Sequence, residues 1–153
     1  VLDAEHLHLT LLYVGNIVQI QKELEEAGAP WSDVFSQSLM ERIEPILGRA
    51  PRGEITIGSA DVLSFDGDEF GVLLVYPTDE LMEARSQAWS ALLGAVRSSG
   101  HSNPEKFVRT SPTIAMPSPV WRPHITLTRD RMLAAGIGDV SGKNVVLGAL
   151  KLH

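Results

Sequence analysis

The sequence predicts an α+β chain in which helices pack outside antiparallel strands, and three observations point to it. Runs of strand character, such as the alternating Ile55 and Ile57 and the wholly apolar Gly71-Val72-Leu73-Leu74-Val75, are interspersed with runs of helical period, such as Phe35, Leu39, Ile43 and Leu47. Asp66-Gly67 stands between two strand-like runs and is a strong signal for a tight hairpin, which makes its flanking strands antiparallel neighbours. No linker, low-complexity tract or long charge block interrupts the 153 residues, so a single domain over 1–153 is expected. Hydrophobic residues make up 44% of the chain and charged residues 21%, enough to close a core without staples.

The elements follow in order. Leu7, Leu9 and Leu11 alternate with polar residues in a first strand. Val18 to Ala27 reads as a short helix ended by Gly28-Ala29-Pro30. Ser32 is expected to cap a second helix carrying the Phe35 to Leu47 stripe. Ile55 and Ile57 mark a strand, Val62 to Phe65 continues the β pattern, and the hairpin leads into Phe70 to Tyr76, which is central because its apolar run covers both faces. Thr78 or Asp79 caps a helix with Leu81, Ala84, Ala88, Leu92 and Val96 on one side. Gly100 to Pro119 has no clear period and contains Pro104, Pro112, Pro117 and Pro119, so a long loop is expected there, leading into a strand with Ile125 and Leu127. Val145 to Leu150 reads as a last strand.

The tripeptide His-x-Thr occurs twice in a nearly identical apolar frame, as His8-Leu9-Thr10-Leu11 and as His124-Ile125-Thr126-Leu127. On an extended strand residues i and i+2 leave the same face, so each copy presents an imidazole beside a hydroxyl while its aliphatic neighbours turn to a core. Such a doubled pair suits a phosphodiester. Attack on phosphorus needs one group to take a proton and another to give one to the leaving oxygen, and imidazole titrates near neutrality. Each threonine hydroxyl can donate a hydrogen bond to a phosphate oxygen as charge builds there.

These residues resemble the two-histidine (2H) phosphoesterase superfamily, which includes 2′-5′ RNA ligase-like proteins and cyclic nucleotide phosphodiesterases. Glu5-His6-Leu7-His8-Leu9-Thr10-Leu11-Leu12-Tyr13-Val14-Gly15 is similar to the first family motif, and Trp121-Arg122-Pro123-His124-Ile125-Thr126-Leu127-Thr128-Arg129 to the second. The resemblance covers most of the chain. It implies a two-lobed, pseudo-symmetric α+β fold with a central cleft, and metal-independent chemistry with His8 and His124 as acid and base. The expected substrate is a cyclic phosphate or a 2′-linked phosphodiester of a nucleotide or RNA end. Hydrolysis of a cyclic signalling oligonucleotide, or binding of an RNA end or nucleotide without turnover, are the alternatives. Family members carry a further strand before the first motif, whereas this chain reaches His8 almost at once from Val1; a missing strand, and membership of a longer polypeptide, are therefore expected.

Thr10 and Thr126 are expected to bind the phosphate, together with Arg122, whose parity matches that of His124. Arg129 is a phosphate-side residue by resemblance, although plain alternation sets it with Ile125 and Leu127; a strand end or bulge after Thr128 would reconcile the two. His6 shares the parity of His8, but no third ligand stands at a telling spacing, so a rim position and no metal are expected. Tyr13 falls opposite His8 and is expected to pack, as is Trp121, with base stacking the alternative for Trp121.

With no cysteine, disulfides and thiolate chemistry are excluded. No apolar stretch approaches a membrane span, no cofactor is called for, and cytoplasmic residence is the expectation. The net charge of −6 argues against a general nucleic-acid coat protein, yet it divides unevenly. Residues 1–96 hold 5 Lys and Arg against 16 Asp and Glu, and residues 97–153 hold 8 against 3. Lys106, Arg109, Arg122, Arg129 and Arg131 lie near the second motif in sequence, as an anionic substrate would favour.

Overall fold

The alternating run that starts at Gly53 and the hairpin that turns through Gly67 set up the sheet around which the candidate site is built. The structure, a computed structural model, describes residues 8–49, 53–65, 67–114, 120–128, 142 and 144–147. The fold is α+β. In chain order come α1 (Ile17–Glu26), a 3₁₀ turn (Ser32–Val34), α2 (Phe35–Arg49), β1 (Gly53–Phe65), β2 (Asp68–Tyr76), α3 (Asp79–Ser98), α4 (Pro104–Thr110), β3 (His124–Thr128) and β4 (Asn144–Leu147). The described residues cluster into two compact units. One is drawn from Val1–Thr10, Pro51–Leu81 and Arg122–Ala149, the other from Leu11–Ala50, Met82–Trp121 and Leu150–His153.

The first unit holds an antiparallel sheet of order β3-β2-β1-β4. β1 and β2 pair from Thr56↔Tyr76 to Phe65↔Asp68, and the two-residue connection uses Gly67 at φ +84, the left-handed conformation that a tight hairpin demands. β1 is one strand of 13 residues, so the two β runs expected at Ile55–Ile57 and Val62–Phe65 are continuous. A register shift between Ile57 and Ala60 inserts one extra residue, which explains why a strict period of two is not visible along its length. β2 is central, as its apolar run predicts: Val72, Leu73 and Val75 are buried. Ile55, Ile57, Leu73, Val75 and Ile125 share one face by register and are all buried.

The second unit is helical. Asn16 caps α1, its side chain accepting from the Gln19 amide at 3.1 Å, and Gly28 at φ +83 ends the helix by letting the Ala29 amide reach back to the Leu24 carbonyl at 2.9 Å. Ile20 and Leu24 of α1, Phe35 and Leu39 of α2, Leu92, Ala95 and Val96 of α3, and Phe107 and Val108 of α4 form one core. Phe35 is fully buried, and truncating such a ring costs about 3–5 kcal/mol.

The structure departs from two expectations. Ser32 does not cap α2; it opens a 3₁₀ turn that runs directly into the helix, and no side-chain cap bond forms at that entry. The segment 100–119 is not loop throughout, because α4 begins at Pro104. Asn103 caps it through the Lys106 amide at 3.0 Å, and proline at the first helical position forfeits no bond, so a residue read as a breaker is a starter. The α3 start agrees with expectation: Thr78 Oγ1 accepts from the Leu81 amide at 3.2 Å. Among the described residues no helix is long and apolar enough to cross a membrane.

Candidate functional site

β3 pairs with β2 on one side, with Ile125 opposite Leu73 and His124 opposite Leu74. On its other side Ile125 forms an antiparallel bridge with Leu9. The two His-x-Thr motifs are therefore neighbours in one unit, centred on the same pair of aliphatic residues. Continued by one residue each way, an antiparallel register sets His8 opposite Thr126 and Thr10 opposite His124. Cα atoms directly opposite lie about 4.5–5.5 Å apart, and diagonal neighbours such as His8 and His124 about 7–8 Å.

Antiparallel pairing has local two-fold symmetry, and two His-x-Thr tripeptides centred on the bridge, differing only in Leu9 against Ile125, inherit it approximately. Each imidazole then neighbours the other motif's hydroxyl. An anion seated on that axis would meet an imidazole from either side and a hydroxyl from either side. The burial pattern matches this division of faces: Ile125 is buried and Leu9 half-buried, whereas His8, Thr10 and Thr126 are exposed and His124 is half-buried. Burial of the aliphatic residues is what holds the polar pairs outward, because a slip of one residue would exchange the faces.

The ring of His124 is oriented by its own backbone. Its Nδ1 lies 2.9 Å from the Arg122 carbonyl oxygen, which can only accept, so Nδ1 carries the proton. In the neutral ring Nε2 is then the basic nitrogen, and in the charged ring it is an acid. Pro123, buried beside it, keeps the segment extended, and its carbonyl accepts from the Val75 amide at 3.0 Å.

Arg122 has the parity of His124, as the sequence predicts, and its guanidinium is engaged with Asp61 of β1. The Nη2 to Oδ2 distance is 2.7 Å, with the side chains 59% and 42% exposed. Asp61 stands opposite Val72, which stands opposite Thr126, so all three share one row and one face. An ion pair this exposed is worth at most about 1 kcal/mol, and a bound phosphate can compete for the same cation.

Sequence reasoning did not find Asp61. Its only local signal is an acidic residue inside a β run, and the partner is 61 positions away. Tyr13 was expected to pack and is instead 60% exposed, because the segment after Leu11 leaves extended pairing and strand alternation no longer applies to it. Trp121 is half-buried. Lys106 and Arg109 are exposed on α4. Arg129, Arg131 and His6 lie outside the described residues. Among the described residues no three histidine or carboxylate side chains gather so as to hold a metal ion.

No protein-family model, curated protein or solved structure was found to match this chain.

Proposed function

We propose that the chain is a two-histidine phosphoesterase that cleaves a phosphodiester of a nucleotide or RNA end, with a 2′,3′-cyclic phosphate as the leading substrate and no metal in the reaction. The observation that carries this reading is the antiparallel bridge between Leu9 and Ile125, around which the duplicated His-x-Thr motifs are arranged. One imidazole takes a proton from water as the water oxygen bonds to phosphorus. The other gives its proton to the ribose oxygen as the P–O bond breaks. Thr10 and Thr126 donate hydrogen bonds to the non-bridging oxygens, and Arg122, with Arg129 by resemblance, offsets the phosphate charge. The symmetry of the pair lets either ring take either role, according to the direction in which the substrate lies. The finer fold class, the two-lobed 2H architecture, and cytoplasmic residence belong to the same proposal.

The test is turnover of 2′,3′-cyclic mononucleotides. His8→Ala and His124→Ala are each expected to lower kcat by about 10²–10⁴-fold, the usual worth of positioned acid–base catalysis. The variants should melt as the parent does, and chelator should have no effect. Since one ring must be charged and the other neutral, the rate should fall on both sides of an optimum pH. Full activity in either variant would reject the mechanism. Hydrolysis confined to cyclic di- or trinucleotides would move the substrate to signalling nucleotides, and tight binding without product would make the protein a binding module.

A further inference from the structure

We infer that Tyr76 is the base-stacking platform of this site, so that the ligand is a nucleoside phosphate recognised through its base and not a simple sugar phosphate. The inference rests on the two-histidine reading and adds to it the part of the substrate that the histidine and threonine pairs leave untouched.

His124 faces Leu74 across the β2–β3 ladder, and Tyr76 is two residues further along β2, so Tyr76 shares the face that carries His124 and Thr126. The Val75 amide bonds the Pro123 carbonyl, which extends the same register by one residue and sets Tyr76 opposite Arg122. On its other side Tyr76 pairs with Thr56 of β1. Two residues along β2 and one strand across set the Tyr76 backbone about 8 Å from that of His124, within the span of a nucleoside held at the imidazole.

Exposure marks the position out. Along this face of β2, Val72 is buried and Leu74 half-buried, yet Tyr76 is 63% exposed at the strand's end. Burial would hold an aromatic ring for packing; this one keeps most of its surface in water beside a polar constellation. Arg122 starts opposite Tyr76 but carries its guanidinium to Asp61, on the row of Val72 four residues along β2, so the cation lies toward Thr126 and the ring at the strand's end. Aromatic stacking is a sequence-tolerant way to hold a nucleobase.

The experiment is a calorimetric comparison of adenosine 2′-monophosphate with ribose 2-phosphate, on the intact chain and on Tyr76→Ala, Tyr76→Phe and Tyr76→Trp. The parent protein should prefer the nucleotide by about 5–100-fold, the range that stacking of one base supplies. Tyr76→Ala should lose that preference while ribose 2-phosphate, which has no base to stack, binds it and the parent alike. Tyr76→Phe and Tyr76→Trp should keep the preference, which separates stacking from hydrogen bonding by the phenol. An undiminished preference in Tyr76→Ala would overturn the role of Tyr76 and leave the two-histidine site standing. Failure of the parent to bind either phosphate would overturn the site itself and this inference with it.

Discussion

Asp61 and Arg122 hold opposite charges on the same face as the histidines, and their effects on an anionic ligand oppose each other. Asp61 lies two strands from Thr126, about 10 Å away, where a carboxylate repels a phosphate by about 0.4 kcal/mol in water, roughly a twofold effect on affinity. It also engages the guanidinium that the phosphate would use. Asp61→Asn is therefore expected to lower KM twofold or more, and Arg122→Ala to raise it. Melting temperatures should scarcely move in either, since an exposed pair contributes less than about 1 kcal/mol. A higher KM in Asp61→Asn would mean that the carboxylate positions Arg122 more than it competes for it. The fixed tautomer of His124 is a separate matter: it depends on the Arg122 carbonyl, which no side-chain substitution at that position removes.

At the level of elements, the connection between the first motif and α1 is clamped to the segment after α4. Gly15 has φ +92, and a Cβ placed there would come within 2.5 Å of the Thr113 carbonyl oxygen. Both the backbone conformation and the approach require glycine. Glu23 of α1 meanwhile accepts hydrogen bonds from the Ser111 and Thr113 hydroxyls, holding the same segment. Gly15→Ala should destabilise the protein by about 1–3 kcal/mol, read as a lower urea midpoint at unchanged slope. An unchanged midpoint would show that the 111–114 segment yields. The glycine was legible in the sequence as part of the first motif, but its reason was not, since Thr113 is far away along the chain. The same holds elsewhere. The 66–67 hairpin, α1 and α3 were legible because their signals are local: a turn dipeptide, caps and apolar period. α4 was obscured by its proline, β1 by its bulge, and the Ser32 cap by a 3₁₀ entry. In the site, the parity of His8 with Thr10 and of His124 with Thr126 could be read directly. That Leu9 pairs with Ile125, that Asp61 meets Arg122, and that Tyr76 comes opposite Arg122 are long-range facts of register, which no window of sequence contains.

On the two-histidine reading, the charge of the whole molecule bears on what size of substrate the site would favour. A protein that tracks an RNA backbone does so with many cations, each releasing counterions, and its log affinity falls with log salt by about 0.7 per phosphate neutralised on a single strand. This chain has a net charge of −6, and 16 of its 19 acidic residues lie in residues 1–96, which also supply His8 and Thr10. On the two-histidine reading, phosphates beyond the one between the histidines would therefore gain little from so acidic a chain. Its excess of basic residues in 97–153 is only 8 against 3, few for tracking a long backbone. A 2′,3′-cyclic mononucleotide and a long RNA carrying the same terminal cyclic phosphate should accordingly bind with similar affinity. Their salt slopes should also be similar, no steeper than about −1. Measured between low and moderate salt on the His8→Ala protein, whose turnover should be about 10²–10⁴-fold slower, a slope of −3 or steeper for the long RNA alone would reveal a multi-phosphate groove. That result would identify the substrate as an RNA body and not an RNA end or a free nucleotide, whatever the histidines do.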